Sequence, residues 1–122
     1  MIDLLNIALA LITAALGVFG LFAPKYTAGI LDIHTGKTTM ALSEVRAASG
    51  GLFVGLGLGA IVLGTPGAFM VVGLAYAGAA FGRALALILD NAPRGKAGGY
   101  FLFEASFATA LIWANYAAFV AG

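Results

Sequence analysis

Apolar and polar positions alternate along the chain in long blocks, dividing it into four hydrocarbon stretches joined by short polar breaks. Between Asp3 and Lys25 there is no charge, and a gap of this size matches the ~20 residues needed to cross ~30 Å of bilayer hydrocarbon. Pro24 ends that first stretch, placing a helix at about residues 2–22. At ~100° per residue, Asp3, Asn6, Ala10, Thr13, Ala14, Gly17 and Gly20 fall on one small, polar face, which is expected to point at protein. The one early charge is acidic where a secretory leader would be basic, so the stretch reads as a retained helix. From Ala23 to Leu42 the chain is too polar and broken to span. Within it, Pro24 suits a first helical position, and Tyr26, Ile30 and Ile33 predict an interfacial segment over 24–33. Ser43 is a plausible N-cap for a second span at about 44–64. Thr65 and Pro66 open a third at 66–90, and Asn91 and Pro93 close it. After a basic loop over 91–99 comes a fourth, at about 100–121. The predicted fold is all-α, a single transmembrane four-helix bundle over residues 1–122.

Composition agrees with that pattern. The chain is 62% hydrophobic and 9% charged, with a mean hydropathy of +1.06, whereas a soluble domain carries about a quarter charged residues. A net charge of +1 gives no basic field for a nucleic-acid partner. There is no cysteine, which excludes disulfides and thiolate metal sites. Lys25, Lys37, Arg46, Arg83, Arg94 and Lys96 all lie in or beside the first-to-second and third-to-fourth connections. The positive-inside bias therefore places those connections in the cytoplasm and both termini outside.

Ionisable residues within or at the edges of the spans are the candidate functional groups. Glu44 and Arg46 enter the second span, Arg83 and Asp90 lie near the exit of the third, and Glu104 is just inside the fourth. Tyr76, Arg83 and Asp90 share a stripe, as do Glu104, Ala108, Leu111 and Asn115. Stripes of this kind belong in a bundle interior, because a charge at the bilayer centre costs ~2.5–3.5 kcal/mol even on the translocon scale. The expected arrangement is an intramembrane ion-pair network of these five residues, with Arg83 meeting Glu104 at similar depth and Asp90 capped by loop groups.

The second span is rich in glycine. Gly51, Gly55 and Gly59 form overlapping small-xxx-small steps on the Glu44 face, while Gly50, Gly57 and Gly64 lie on the Arg46 face. One of these faces is expected to pack inside the bundle, and the other to serve either the third span or another subunit. If the Arg46 face is the external one, Gly55 is the inner position and Gly57 the outer one.

Other motifs drop out. Gly36, Lys37 and Thr38 look like the end of a phosphate-binding loop, but Leu31 stands where that motif needs glycine. His34, the sole histidine, reads as a solvated loop residue, since a metal site needs several converging ligands. No span carries histidine or cysteine, so no metal, haem or other cofactor is expected, and no catalytic set is present. Trp113, Tyr116 and Phe119 read as an interfacial aromatic anchor.

Ala23-Pro24, Glu44-x-Arg46 followed by Gly50-Gly51, Gly55-x-Gly57, and Gly82-Arg83 with Asp90 seven further on resemble a family of small bacterial membrane proteins classified only as a domain of unknown function. More loosely, they resemble the DoxX-like four-helix proteins. The resemblance covers nearly the whole chain and implies four transmembrane helices in a bacterial inner membrane, so that the outer side on which the basic residues place both termini is the periplasm. The quinone-linked sulfur oxidation associated with DoxX-like proteins is not carried over, because no redox residue here matches. The leading expectation is a non-enzymatic accessory subunit that sits in the lipid bilayer and packs against a larger membrane complex or a homo-oligomer. The alternatives are a proton or solute pathway lined by Arg83 and Glu104, and a lipid- or quinone-binding subunit of a membrane oxidoreductase.

Overall fold

A computed structural model describes residues 2–122, with the side chains of Ile2 and Asp3 outside the described set. Among the described residues the architecture is entirely helical. Helix α1 spans Ile2–Phe22 and α2 spans Pro24–Ile30. A long α3 covers Met40–Leu63, α4 covers Pro66–Leu89 and α5 covers Arg94–Ala121. Three stretches, Leu4–Phe22, Met40–Leu63 and Pro66–Leu89, are long and apolar enough to cross a membrane. The chain is therefore a membrane protein in which exposed leucine, isoleucine and phenylalanine are the expected lipid-facing surface.

Two helix starts and one internal turn differ from the sequence reading. α3 begins at Met40 with Thr39 in the cap position, so Ser43 lies inside the helix and caps nothing. Met40, Ala41 and Leu42 are good helix formers and extend the helix by a turn. α5 begins at Arg94 and not near Tyr100. The basic loop is correspondingly shorter, and the Ala97 N–H already bonds the Pro93 carbonyl oxygen at 2.8 Å. The third difference is a π-helical segment in α3, Val45–Gly51, where the Leu52 N–H reaches back five residues to the Ala47 oxygen. Ala47, Ala48, Ser49, Gly50 and Gly51 offer little side-chain bulk to resist a widened turn.

The short connections follow their turn chemistry. Gly64, at φ 65°, ends α3 in a conformation that glycine adopts at no steric cost. The Thr65 hydroxyl then accepts the Ala68 N–H at 3.2 Å, and Pro66 takes the first turn of α4. At the other end of α4, Asn91 adopts φ 51°, and the Ala92 N–H bonds the Ala86 oxygen at 3.3 Å to close the helix.

The chain divides into two compact units, Ile7–Leu63 and Gly64–Gly122, the latter joined by the N-terminal residues through Asn6. In the first unit, α1 and α3 meet backbone to backbone. A Cβ on Gly17 would stand 2.7 Å from the Gly50 oxygen, and one on Gly50 would stand 2.6 Å from the Leu21 nitrogen. Gly57 is equally tight, 2.8 Å from the Ala14 nitrogen. The buried face of α1 is accordingly Asn6, Ala10, Thr13, Ala14, Gly17 and Gly20, the face marked by the periodicity, with Asp3 outside the described side chains. In the second unit, α4 buries Phe69, Val72, Gly73, Tyr76 and Ala80, and α5 buries Ala97, Glu104, Ala108, Leu111 and Asn115.

Candidate functional site

In the second unit the inward stripes of α4 and α5 bring Arg83 and Glu104 together. Arg83 Nε donates to Glu104 Oε1 at 3.1 Å, and Nη2 donates to Oε2 at 3.3 Å. This two-pronged match of planar guanidinium and carboxylate is the strong form of the interaction. The pair is not sealed: the Arg83 side chain is 35% exposed and that of Glu104 11%. Arg83 also lies over the Tyr100 ring, 5.1 Å from its centroid, a cation–π contact on the same side of the seam. Deeper along the seam, Tyr76, Phe103 and Phe107 pack as an aromatic cluster, with Phe103 and Phe107 centroids 4.3 Å apart.

The other three candidate residues are placed differently. Asp90 is exposed at the end of α4, where its backbone N–H bonds the Ala86 oxygen. In the first unit, Glu44 and Arg46 are both exposed and do not pair with each other among the described residues. Arg46 Nη1 instead donates to the Leu21 carbonyl oxygen at 2.5 Å. Leu21 lies in the last turn of α1, where carbonyls have lost their next-turn donor, so Arg46 acts as a C-terminal cap supplied by another helix.

The glycine face that packs inside the chain is the one that carries Gly50 and Gly57, not the Gly55 face. Gly50 and Gly57 are consumed by α1, whereas a Cβ on Gly55 or Gly59 would meet nothing within 4 Å. Gly51 is intermediate, with only Leu21 Cδ2 and the Arg46 oxygen in ordinary contact range. The reason lies on α1: Ala10, Ala14, Gly17 and Gly20 together form a smooth surface, and the helix that meets it must present its own gaps in matching register.

One further polar pair joins residues that the sequence marks only singly. Asn6 and Asn115 exchange amide hydrogen bonds, each 2.8 Å, and Asn115 Nδ2 also donates to the Leu111 oxygen at 2.7 Å. Both residues are buried, at 2% exposure. Each lies on a face that helical phase marks as inward, and two lone asparagines among apolar residues are a signal that they seek one another.

A family model described as a domain of unknown function, DUF4345, matches residues 2–115. The chain belongs to that family. The match takes in all five ionisable candidates, both asparagines and every glycine of α3. No curated protein and no solved structure matches the chain. Among the described residues no group of histidine, cysteine, aspartate or glutamate is clustered so as to hold a metal ion.

Proposed function

We propose that this DUF4345 chain is a non-enzymatic accessory subunit of a larger membrane complex, held to its partner through the open glycine face of α3. The observation that carries this reading is the empty space at Gly55 and Gly59. Two glycines one turn apart on a lipid-length helix let a partner helix approach closely, and association between helices in lipid depends on such packing. The inward ionisable groups suit a structural role, since Glu104 has both carboxylate oxygens occupied by Arg83.

The membrane arrangement belongs to the same proposal. α5 is the fourth crossing of a four-helix bundle. Its 28 residues extend ~42 Å at 1.5 Å per residue, more than the hydrocarbon requires. Glu104 and Asn115 depress its hydropathy but are buried, while Leu102, Trp113, Phe119 and Val120 are exposed. Lys25 and Lys37 lie between α1 and α3, and Arg94 and Lys96 at the start of α5. This distribution supports cytoplasmic α1–α3 and α4–α5 connections and periplasmic termini in a bacterial inner membrane, with α2 lying at the interface. Single cysteines at positions 36 and 95 are expected to resist an impermeant thiol reagent in intact cells, while those at 67 and 122 label. The reverse pattern would invert the topology. For the function, the tagged full chain extracted from native membranes in mild detergent is expected to carry a stoichiometric larger membrane protein. Recovery only as a homo-oligomer would contradict the accessory role.

A further inference from the structure

The first unit contains an open concavity of about 730 Å³ that none of the preceding roles uses, lined by Leu21, Thr39, Leu42, Ser43, Arg46, Ala47 and Gly51. We propose that it binds the phosphate group of an anionic phospholipid headgroup, with Arg46 as the anchoring cation and the Thr39 and Ser43 hydroxyls as neutral donors. Arg46 is the only charged residue in this lining, and no carboxylate shares it; Glu44 is exposed on the same helix but lies outside the lining. The guanidinium is held in place, because Nη1 is engaged by the Leu21 carbonyl oxygen. Its remaining N–H donors keep the planar fork that suits phosphate oxygens.

Depth and shape fit a lipid. Arg46 is six residues into α3, ~9 Å below its start, and Leu21 is one residue from the end of α1. Both therefore belong near the headgroup level if these helices span. The π-helical turn supports the same use, since widened turns are frequent at functional sites. Here it puts Arg46, Ala47 and Gly51 on one wall, and Gly51 adds no side chain to close the floor. Leu21 and Leu42 supply apolar contact for the upper part of an acyl chain. Such a site needs α1 and α3 to lie in the membrane but needs no protein partner.

Native mass spectrometry of the full chain, titrated in detergent with phosphatidylglycerol or phosphatidylcholine, tests this directly. One phosphatidylglycerol is expected to bind about tenfold more tightly than phosphatidylcholine, because the site has no anion to meet a choline. Arg46→Gln removes the charge and shortens the side chain while leaving a polar group, and is expected to weaken phosphatidylglycerol binding about tenfold or more. Ser43→Asp, at an exposed position that tolerates the change, places a carboxylate in the lining and is expected to do the same. It carries the test alone if Arg46→Gln fails to fold. Unchanged phosphatidylglycerol binding in Ser43→Asp, or in a folded Arg46→Gln, would overturn the site. Occupancy by inorganic phosphate alone at the same concentrations would overturn the lipid assignment in favour of a free anion.

Discussion

The α1–α3 pair and the α4–α5 pair solve the same problem, holding two apolar helices together where lipid competes for every contact, by different means. In α1–α3 the contact is almost bare backbone: Gly17, Gly20, Gly50 and Gly57 let the main chains touch, and Arg46 capping Leu21 adds a polar contact. In α4–α5 the contact is side-chain chemistry, with Arg83 and Glu104 in a two-pronged ion pair and Tyr76, Phe103 and Phe107 stacked below it. Close backbone packing tolerates no added atom. Side-chain pairing tolerates replacement, provided that both partners change together.

The largest effect should therefore come from the glycines. Gly57→Leu puts a side chain where the Ala14 nitrogen is only 2.8 Å from a would-be Cβ. Backbone cannot swing aside as a side chain does, so the loss is expected to reach or exceed the ~3 kcal/mol upper range of ordinary overpacking. Thermal unfolding in detergent reads it, and wild-type stability in this variant would refute the close α1–α3 contact.

Next comes the ion pair. Arg83→Met or Glu104→Gln is expected to cost about 1–3 kcal/mol. That is less than the ~3–5 kcal/mol of a fully buried pair, because the Arg83 side chain is 35% exposed. The double variant should recover most of the loss. Additive single losses would show that the two groups do not act on each other.

The asparagine pair should give the smallest effect on folding. Asn6→Leu strands the Asn115 amide in a buried site and is expected to cost about 1 kcal/mol, the scale of interhelical hydrogen bonds in membranes. Adding Asn115→Leu should restore part of it. A cost from Asn6→Leu that persists undiminished in the double variant would mean that the pair contributes only bulk.

These differences also set what could be read from the chain before its structure. Three membrane-length helices and the inward faces were legible because hydrocarbon demands uninterrupted apolar length, and helical phase then sorts Asn6, Thr13, Glu104 and Asn115 to the inner sides of their helices. The Arg83–Glu104 meeting followed from depth and phase. Which glycine face of α3 turns inward was not legible, because Gly50-Gly57 and Gly51-Gly55-Gly59 are equally smooth and the choice depends on register against α1. The start of α3 is not legible either, because Ser43 is a good cap by type, whereas Met40, Ala41 and Leu42 continue the helix ahead of it. The π turn at Val45–Gly51 left no mark beyond a run of small residues, which an unbroken α-helix would accept as readily.

In the proposed function α3 divides its labour, with the Gly50 and Gly57 face folding the chain and the Gly55 and Gly59 face serving a partner. Gly55→Leu tests it most directly, because a Cβ there meets nothing within 4 Å. Thermal stability of the purified chain and recovery of its partner from native membranes are measured on the same preparation. Unchanged stability with loss of the partner is the predicted result. A fall in stability matching that of Gly57→Leu, or full partner recovery with the leucine in place, would contradict the assignment.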